Sequence, residues 1–214
     1  ADTGVIGSTN GIGVINLAMA GTAVWRMTTS SAVTNLSGDG GTVHFVNGGD
    51  SLQITGSVSG SHTYDMDLSY ADKTNSDMIY ARTGTSDHQT LNVKNLQQLN
   101  SEMDAGDAVR YATVQSAAGG GFLGNDYVLA NGLYNDTLTT EYRTVASDPN
   151  RTDTYNAALD AAYGLEDATN IYLVKQEALN DGAITPERNR DMVWRYVTDL
   201  DTFTKRDGQA QYFT

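Results

Sequence analysis

Asp65 and Asp67 stand two residues apart in Tyr64-Asp65-Met66-Asp67-Leu68, and the period-two geometry of a strand turns both carboxylates to one face. Such a pair could bind calcium or serve glycoside or pectate cleavage. Either chemistry needs further groups, and the neighbouring Ser69, Tyr70, Asp72 and Lys73 form no recognisable base or cation set, so an exposed polar face is the expectation. Gly48-Gly49-Asp50-Ser51-Leu52, after Gly38-Asp39-Gly40-Gly41, has the glycine and aspartate content of a calcium β-roll. Those rolls stack tandem copies, and here there is one imperfect unit. His44, His62 and His88 have no i, i+4 pairing and no Glu beside them, which points to surface or turn histidines rather than metal ligands. There is no Gly-x-Ser-x-Gly elbow, and Gly119-Gly120-Gly121 lacks the following Lys-Ser/Thr of a phosphate cradle, so a flexible loop is expected there. The expectation is therefore no catalytic residue, no cofactor-binding residue and no metal ligand.

Composition narrows the classes further. The net charge is −13, and 13 Lys and Arg are spread thinly over 214 residues, whereas phosphate binding needs a basic face, so no nucleic-acid partner is expected. Cysteine is absent, which removes disulfides, thiolate metal sites and Cys nucleophiles together. It would suit an exported bacterial chain that must stay unfolded in an oxidising compartment. Twelve tyrosines could stack on sugars, but most fall at strand positions where they would cover the edges of coils. No signal-peptide pattern is seen and no apolar run approaches the ~20 residues of a membrane span, so a soluble mature segment is expected.

The elements that would position these residues are short and many. Apolar residues alternate in Ile15-Leu17-Met19, Ala23-Trp25-Met27, Val43-Phe45, Leu52-Ile54, Tyr64-Met66-Leu68, Ile79-Ala81 and Leu91-Val93, each set bounded by polar or glycine-bearing turns. The Asn-Gly and Asp-Gly dipeptides at Asn10, Asn47, Asp39 and Asn131 would also fit hairpins of an antiparallel sandwich. Spacing decides: Val43 lies about two strands beyond Trp25 and Met66 about two beyond Val43, as in a three-faced coil of roughly 20 residues. The fold expected is all-β, a right-handed single-stranded parallel β-helix with a C-terminal cap and a terminal α-helix. Its folding core is expected to comprise Trp25, Phe45, Leu52, Ile54, Tyr64, Met66, Leu68, Ile79, Leu91 and Val93, with Trp25, Phe45, Ile54, Met66 and Ile79 in one continuous column.

The run from Trp25 to Phe45, then Ser51 to Gly56, Tyr64 to Leu68, Asp77-Met78-Ile79 and Leu91 to Asn95, resembles the C-terminal end of a pertactin-like passenger domain of a monomeric bacterial autotransporter. The order of motifs carries the resemblance: a Trp strand, Val-x-Asn-Leu at Val33 to Leu36, Gly-Gly-x-Val-x-Phe at Gly40 to Phe45, a Leu-x-Ile strand, Tyr-x-Met-x-Leu, Asp-x-Ile in place of Asp-x-Leu, and a strand ending near Asn95. Gly106 to Val109, Phe122, Gly132 to Tyr134 and Ile171 to Val174 resemble the capping strands of the autochaperone region. The chain departs from the family in an insertion between Tyr142 and Thr169, where Asn156 to Tyr163 could form a short helix. Thr185 and Pro186 then open a helical pattern through Met192, Val193, Tyr196, Val197, Leu200 and Phe203, and Thr204 to Tyr212 resembles the linker toward an outer-membrane barrel. The organisation expected is 1–95 parallel coils, 96–180 a capping, autochaperone-like region, and 181–214 an α-helical linker, with the absent barrel explained by a chain cut just before it.

What the resemblance implies is a non-catalytic folding seed for passenger secretion and display at the bacterial cell surface. Its partners would be the upstream passenger coils and its own outer-membrane barrel. The alternative is an adhesive module for host glycan, matrix or an identical passenger on a neighbouring cell. A polysaccharide-degrading enzyme is third.

Overall fold

The computed structural model describes residues 14–83, 87–114, 122–124, 126–131, 134–144, 148 and 168–179. In chain order the strands are β1 (Asn16–Ala18), β2 (Gly21–Met27), β3 (Ser31–Val33), β4 (Asn35–Ser37), β5 (Gly40–Phe45), β6 (Ser51–Ile54), β7 (Thr63–Met66), β8 (Met78–Ala81) and β9 (Gln89–Val93). A short helix, α1 (Leu96–Glu102), precedes β10 (Ala108–Val114), β11 (Phe122–Gly124), β12 (Tyr127–Asn131), β13 (Tyr134–Thr144) and β14 (Thr169–Leu179). The chain divides into one unit of 1–129 with 136–177 and a second of 130–135 with 178–214; most of the second lies outside the described residues.

The protein is all-β, and its sheets are largely parallel. β2, β5, β7, β9 and β11 pair in that order within one sheet, all in parallel. β3, β6, β8 and β10 form a parallel run in a second sheet. β1 pairs with β4, and a single bridge from Leu36 to Val58 continues that narrow third ribbon. From β1 to Val58 the chain visits the three ribbons in turn, and from β7 to β11 its strands alternate between the first and second sheets. The return lengthens along the stack: 19 residues separate hydrogen-bonded Asn16 and Asn35, 21 separate His44 and Asp65, and 27 separate Asp65 and Asn92. Parallel pairing continues past residue 95 into β10 and β11.

β5, β6 and β7 bury alternate residues, because successive side chains leave a strand on opposite faces, whereas β8 and β10 are buried on both faces. Two facts correct the expectations. Trp25, Phe45 and Met66 lie on one sheet, whereas Ile54 and Ile79 lie on the other, so the five do not form a single column. They share one core instead, because the two sheets face it from different sides. Second, His62 is not at the surface: it is 2% exposed, with Nδ1 2.9 Å from the Gly40 carbonyl oxygen and Nε2 3.2 Å from that of Ser59. His44 is half-buried and His88 exposed.

The turns are tight where coils touch. Gly38 and Gly60 both have positive φ, and a Cβ on Gly60 would fall on the Gly38 carbonyl. Only glycine meets both demands at that corner.

At its far end the second sheet changes sense. β14 adds antiparallel to β10, with Val109 opposite Leu173 and an irregularity between Arg110 and Ala112, and β13 and β12 follow outside β14.

Candidate functional site

The interior is built from registered columns. Trp25, Val43, Tyr64 and Leu91 are paired successively across the first sheet. Met27 pairs with Phe45 and Met66 with Val93 at the next inward level. In the second sheet Leu52, Ile79, Ala112 and Ile171 run in register, beside Val33, Ile54, Ala81 and Val114. All ten residues expected in the folding core are buried members of one cluster, and a large apolar side chain gains about 1.5–3 kcal/mol on full burial. Leu68 lies just beyond β7, where the Asn95 side chain replaces a strand partner: Leu68 N donates to Asn95 Oδ1 (3.1 Å) and Asn95 Nδ2 to the Leu68 oxygen (2.8 Å).

Polar side chains close the corners by pairing with main chain that the ladders leave open, since buried backbone polar groups must find partners. Asp77 is fully buried; its Oδ1 accepts from Asp50 N (3.0 Å) and its Oδ2 from Asp67 N (2.7 Å). Burial pushes its pKa up to about 7; the two backbone hydrogen bonds and Lys94 oppose the shift, and the Asp67 charge adds to it. Glu102 Oε2 accepts from Ser69 Oγ, Tyr70 N and Ala71 N at 2.9, 2.9 and 3.2 Å. Burial raises its pKa, but the combined hydrogen bonds from Gln98, Ala71, Ser69 and Tyr70 win and hold it below the ordinary glutamate value.

The outward faces carry ladders of their own. Asp65 lies 3.2 Å from His44 Nδ1 and accepts from Asn92 Nδ2 at 2.9 Å; Asp67 pairs with Lys94 Nζ at 2.8 Å, and that amine also donates to the Phe45 oxygen. The two aspartates singled out by sequence therefore share a face but face separate partners. Asn35 Nδ2 donates to Asn16 Oδ1 at 2.7 Å, and Asn35 Oδ1 accepts from Ser57 N and Oγ at 2.9 and 3.0 Å. Exposed pairs of this kind contribute about 0–1 kcal/mol each. Among the described residues no group of three or more His, Cys, Asp or Glu is placed to hold a metal ion, and no helix is long and apolar enough to cross a membrane.

Where the sheet turns antiparallel, polar groups enter its interior. Asp148 Oδ2 accepts from Tyr172 Oη (2.6 Å) and Asn170 Nδ2 (2.7 Å), while Asn170 Oδ1 accepts from Thr113 Oγ1 (2.9 Å) and Arg110 (3.1 Å). Burial first, and then the Asp148 hydrogen bond and charge, push the Tyr172 hydroxyl well above its usual pKa. Arg143 lies 4.6 Å from the centroid of the Tyr172 ring, within cation–π range. Lys175 Nζ donates to the carbonyl oxygens of Asn100 (3.0 Å) and Met103 (2.9 Å) at the end of α1, and faces Asp136 Oδ2 at 3.4 Å.

Sequence reasoning missed Asp77, Asn95, Glu102, Asp136, Asp148 and Lys175 as structural centres. Their signal was weak: single polar residues in turns, at a helix end or within strands, with nothing local to mark them without the partner. The Gly119–Gly121 loop, the helix expected at Asn156 to Tyr163 and the linker of 181–214 lie outside the described residues. No family model matches the chain, and no curated protein or solved structure matches it.

Proposed function

We propose that this chain is a right-handed single-stranded parallel β-helix closed by an antiparallel cap, and that it acts as the folding seed of a surface-displayed autotransporter passenger belonging to an adhesin or virulence factor. Parallel ribbons visited in turn as far as Val58 support the helix reading, and parallel crossovers are right-handed in about 98% of cases. The observation that carries the function is the change of sense at one end of the second sheet. Among the described residues β1, β2 and β3 each have one strand partner, as does β11 at the far side of the first sheet, whereas the second edge of β10 is taken by antiparallel β14.

An open edge is a template for the next coil, and a closed one is not. A passenger that crosses the outer membrane unfolded, C-terminal part first, would present the capped coils first. Once they fold, back-sliding must undo their burial, and each upstream coil adds to the exposed edge.

The test is Leu68→Asp in the full-length protein. The variant is expected to reach the outer membrane with a protease-sensitive or poorly displayed passenger, partly rescued by adding the wild-type fragment. A variant that secretes and folds normally but loses adhesion alone would transfer the function to an adhesive module for host glycan, matrix or an identical passenger.

A further inference from the structure

Three side chains from three elements converge on one oxygen of the cap. Asp136 Oδ2, from β13, accepts from Asn100 Nδ2 of α1 at 2.8 Å and lies 3.4 Å from Lys175 Nζ of β14. Lys175 Nζ is in turn 3.0 Å from the main-chain oxygen of Asn100. The Asp136 and Lys175 side chains are only 2% and 7% exposed. The remaining polar atom of the group, Asn100 Oδ1, is buried without a hydrogen bond, which is costly for an amide oxygen. A half-turn of the amide exchanges its oxygen and nitrogen. Oδ1 then points at Asp136, which can donate to it only as the neutral acid.

We propose that Lys175 and Asn100 form an intramolecular isopeptide bond promoted by Asp136. The Lys175 ammonium passes a proton to the Asp136 carboxylate within the ion pair, a transfer helped by burial because desolvation penalises both charged forms. The neutral amine adds to Asn100 Cγ while protonated Asp136 hydrogen-bonds Oδ1 and stabilises the developing oxyanion. The adduct then expels the amide nitrogen, which takes one proton from Nζ and one from Asp136 and leaves as ammonium. The Nζ–Cγ bond forms, the Cγ–Nδ2 bond breaks, Asp136 ends as the carboxylate it began as, and no oxidant or cofactor is consumed. Proximity supplies the rate, since amine, amide and acid are already held together by the fold.

The bond would tie α1 to β14 across 75 residues, closing a loop that persists in the unfolded chain. This goes beyond the seed reading and is tested without secretion. Intact-mass spectrometry of the purified, folded chain is expected to show a species lighter by one ammonia. Tandem spectra should contain a branched peptide joining Lys175 to Asn100, with no tryptic cleavage after Lys175. Asp136→Asn keeps the shape but can neither take the proton from Lys175 nor return it to the leaving nitrogen; it should give the full mass while circular dichroism still reports a folded chain. A wild-type chain that stays at full mass on prolonged incubation overturns the proposal and leaves an ion pair only. So does ammonia lost without the branched peptide, which marks succinimide formation instead.

Discussion

The parallel coils and the antiparallel end solve one problem, buried polar groups, in opposite ways. In the coils polar side chains stay at the corners and bind main chain: Asp77 takes two amides, Glu102 two amides and a hydroxyl, and Asn95 both polar groups of Leu68. The interior there is mostly apolar, the exception being Gln89 of β9, fully buried and accepting from the Tyr64 hydroxyl at 3.0 Å. In the antiparallel end the polar groups enter the sheet and bind one another, as Asp148, Asn170, Tyr172 and Arg110 do. A repeat can be extended by copying it. An end must be specified once, and buried polar networks fix a single arrangement at the cost of desolvation.

The largest effect should come from Leu68→Asp, which puts an unpaired charge where the wild-type side chain is fully buried. A cost of several kcal/mol is comparable with the ~5–15 kcal/mol stability of a domain, so chemical denaturation should find the variant largely unfolded in buffer. Lys175→Met removes the cation that faces buried Asp136 and the donor to two helix-end carbonyls and should cost about 3–5 kcal/mol. Urea midpoints measure it, and a loss near zero would remove the cap from the account. Gly60→Ala combines a left-handed backbone with a clash against the Gly38 carbonyl. It should cost at least about 2 kcal/mol, read as a lowered melting temperature, and a neutral result would mean the coils are not in close contact there.

Asp77 sets a pH dependence of known sign. Its pKa in the folded chain is about 7, above the ordinary 3.8, so the folded state binds the proton more tightly than the unfolded state. The stabilisation is fully present below about pH 4 and is lost as pH rises through about 7. Melting temperatures of wild type relative to Asp77→Asn should fall across that window; a rise would show that the two amide hydrogen bonds outweigh burial. Glu102, held below its ordinary pKa, has the opposite sign and loses its contribution as pH falls, which is why the difference between the two proteins is the quantity to follow. The smallest effect belongs to Asp65→Asn on the outer ladder, at most about 1 kcal/mol and reduced by salt; a cost of several kcal/mol would make that ladder structural.

How much was legible in the sequence follows the same division. The alternation at Trp25-Met27, Val43-Phe45 and Leu52-Ile54 is imposed by strand geometry, so the residues that line the core could be named from it. Their columns could not. The return lengthens from 19 to 27 residues, so a fixed period of roughly 20 misassigns partners; Tyr64, for instance, pairs with Leu91. His62 lies in the turn before β7, as one of the two expected placements had it, but it is buried, because a surface turn histidine and one that faces two carbonyls have the same local sequence. The polar centres of the cap were illegible because Asp136, Asn100 and Lys175 gain their meaning from contacts between residues far apart in the chain, which no local period records.

Native-state hydrogen exchange tests the central proposal, that the second sheet closed by β14 is the stable seed on which the strands at β1 to β3 depend, most directly. Amides of β8, β10 and β14 should exchange only through global unfolding, while those of β1 to β3 exchange through a cheaper opening that leaves the rest folded. Protection that is uniform along the stack, or highest at β1 to β3, would contradict the account.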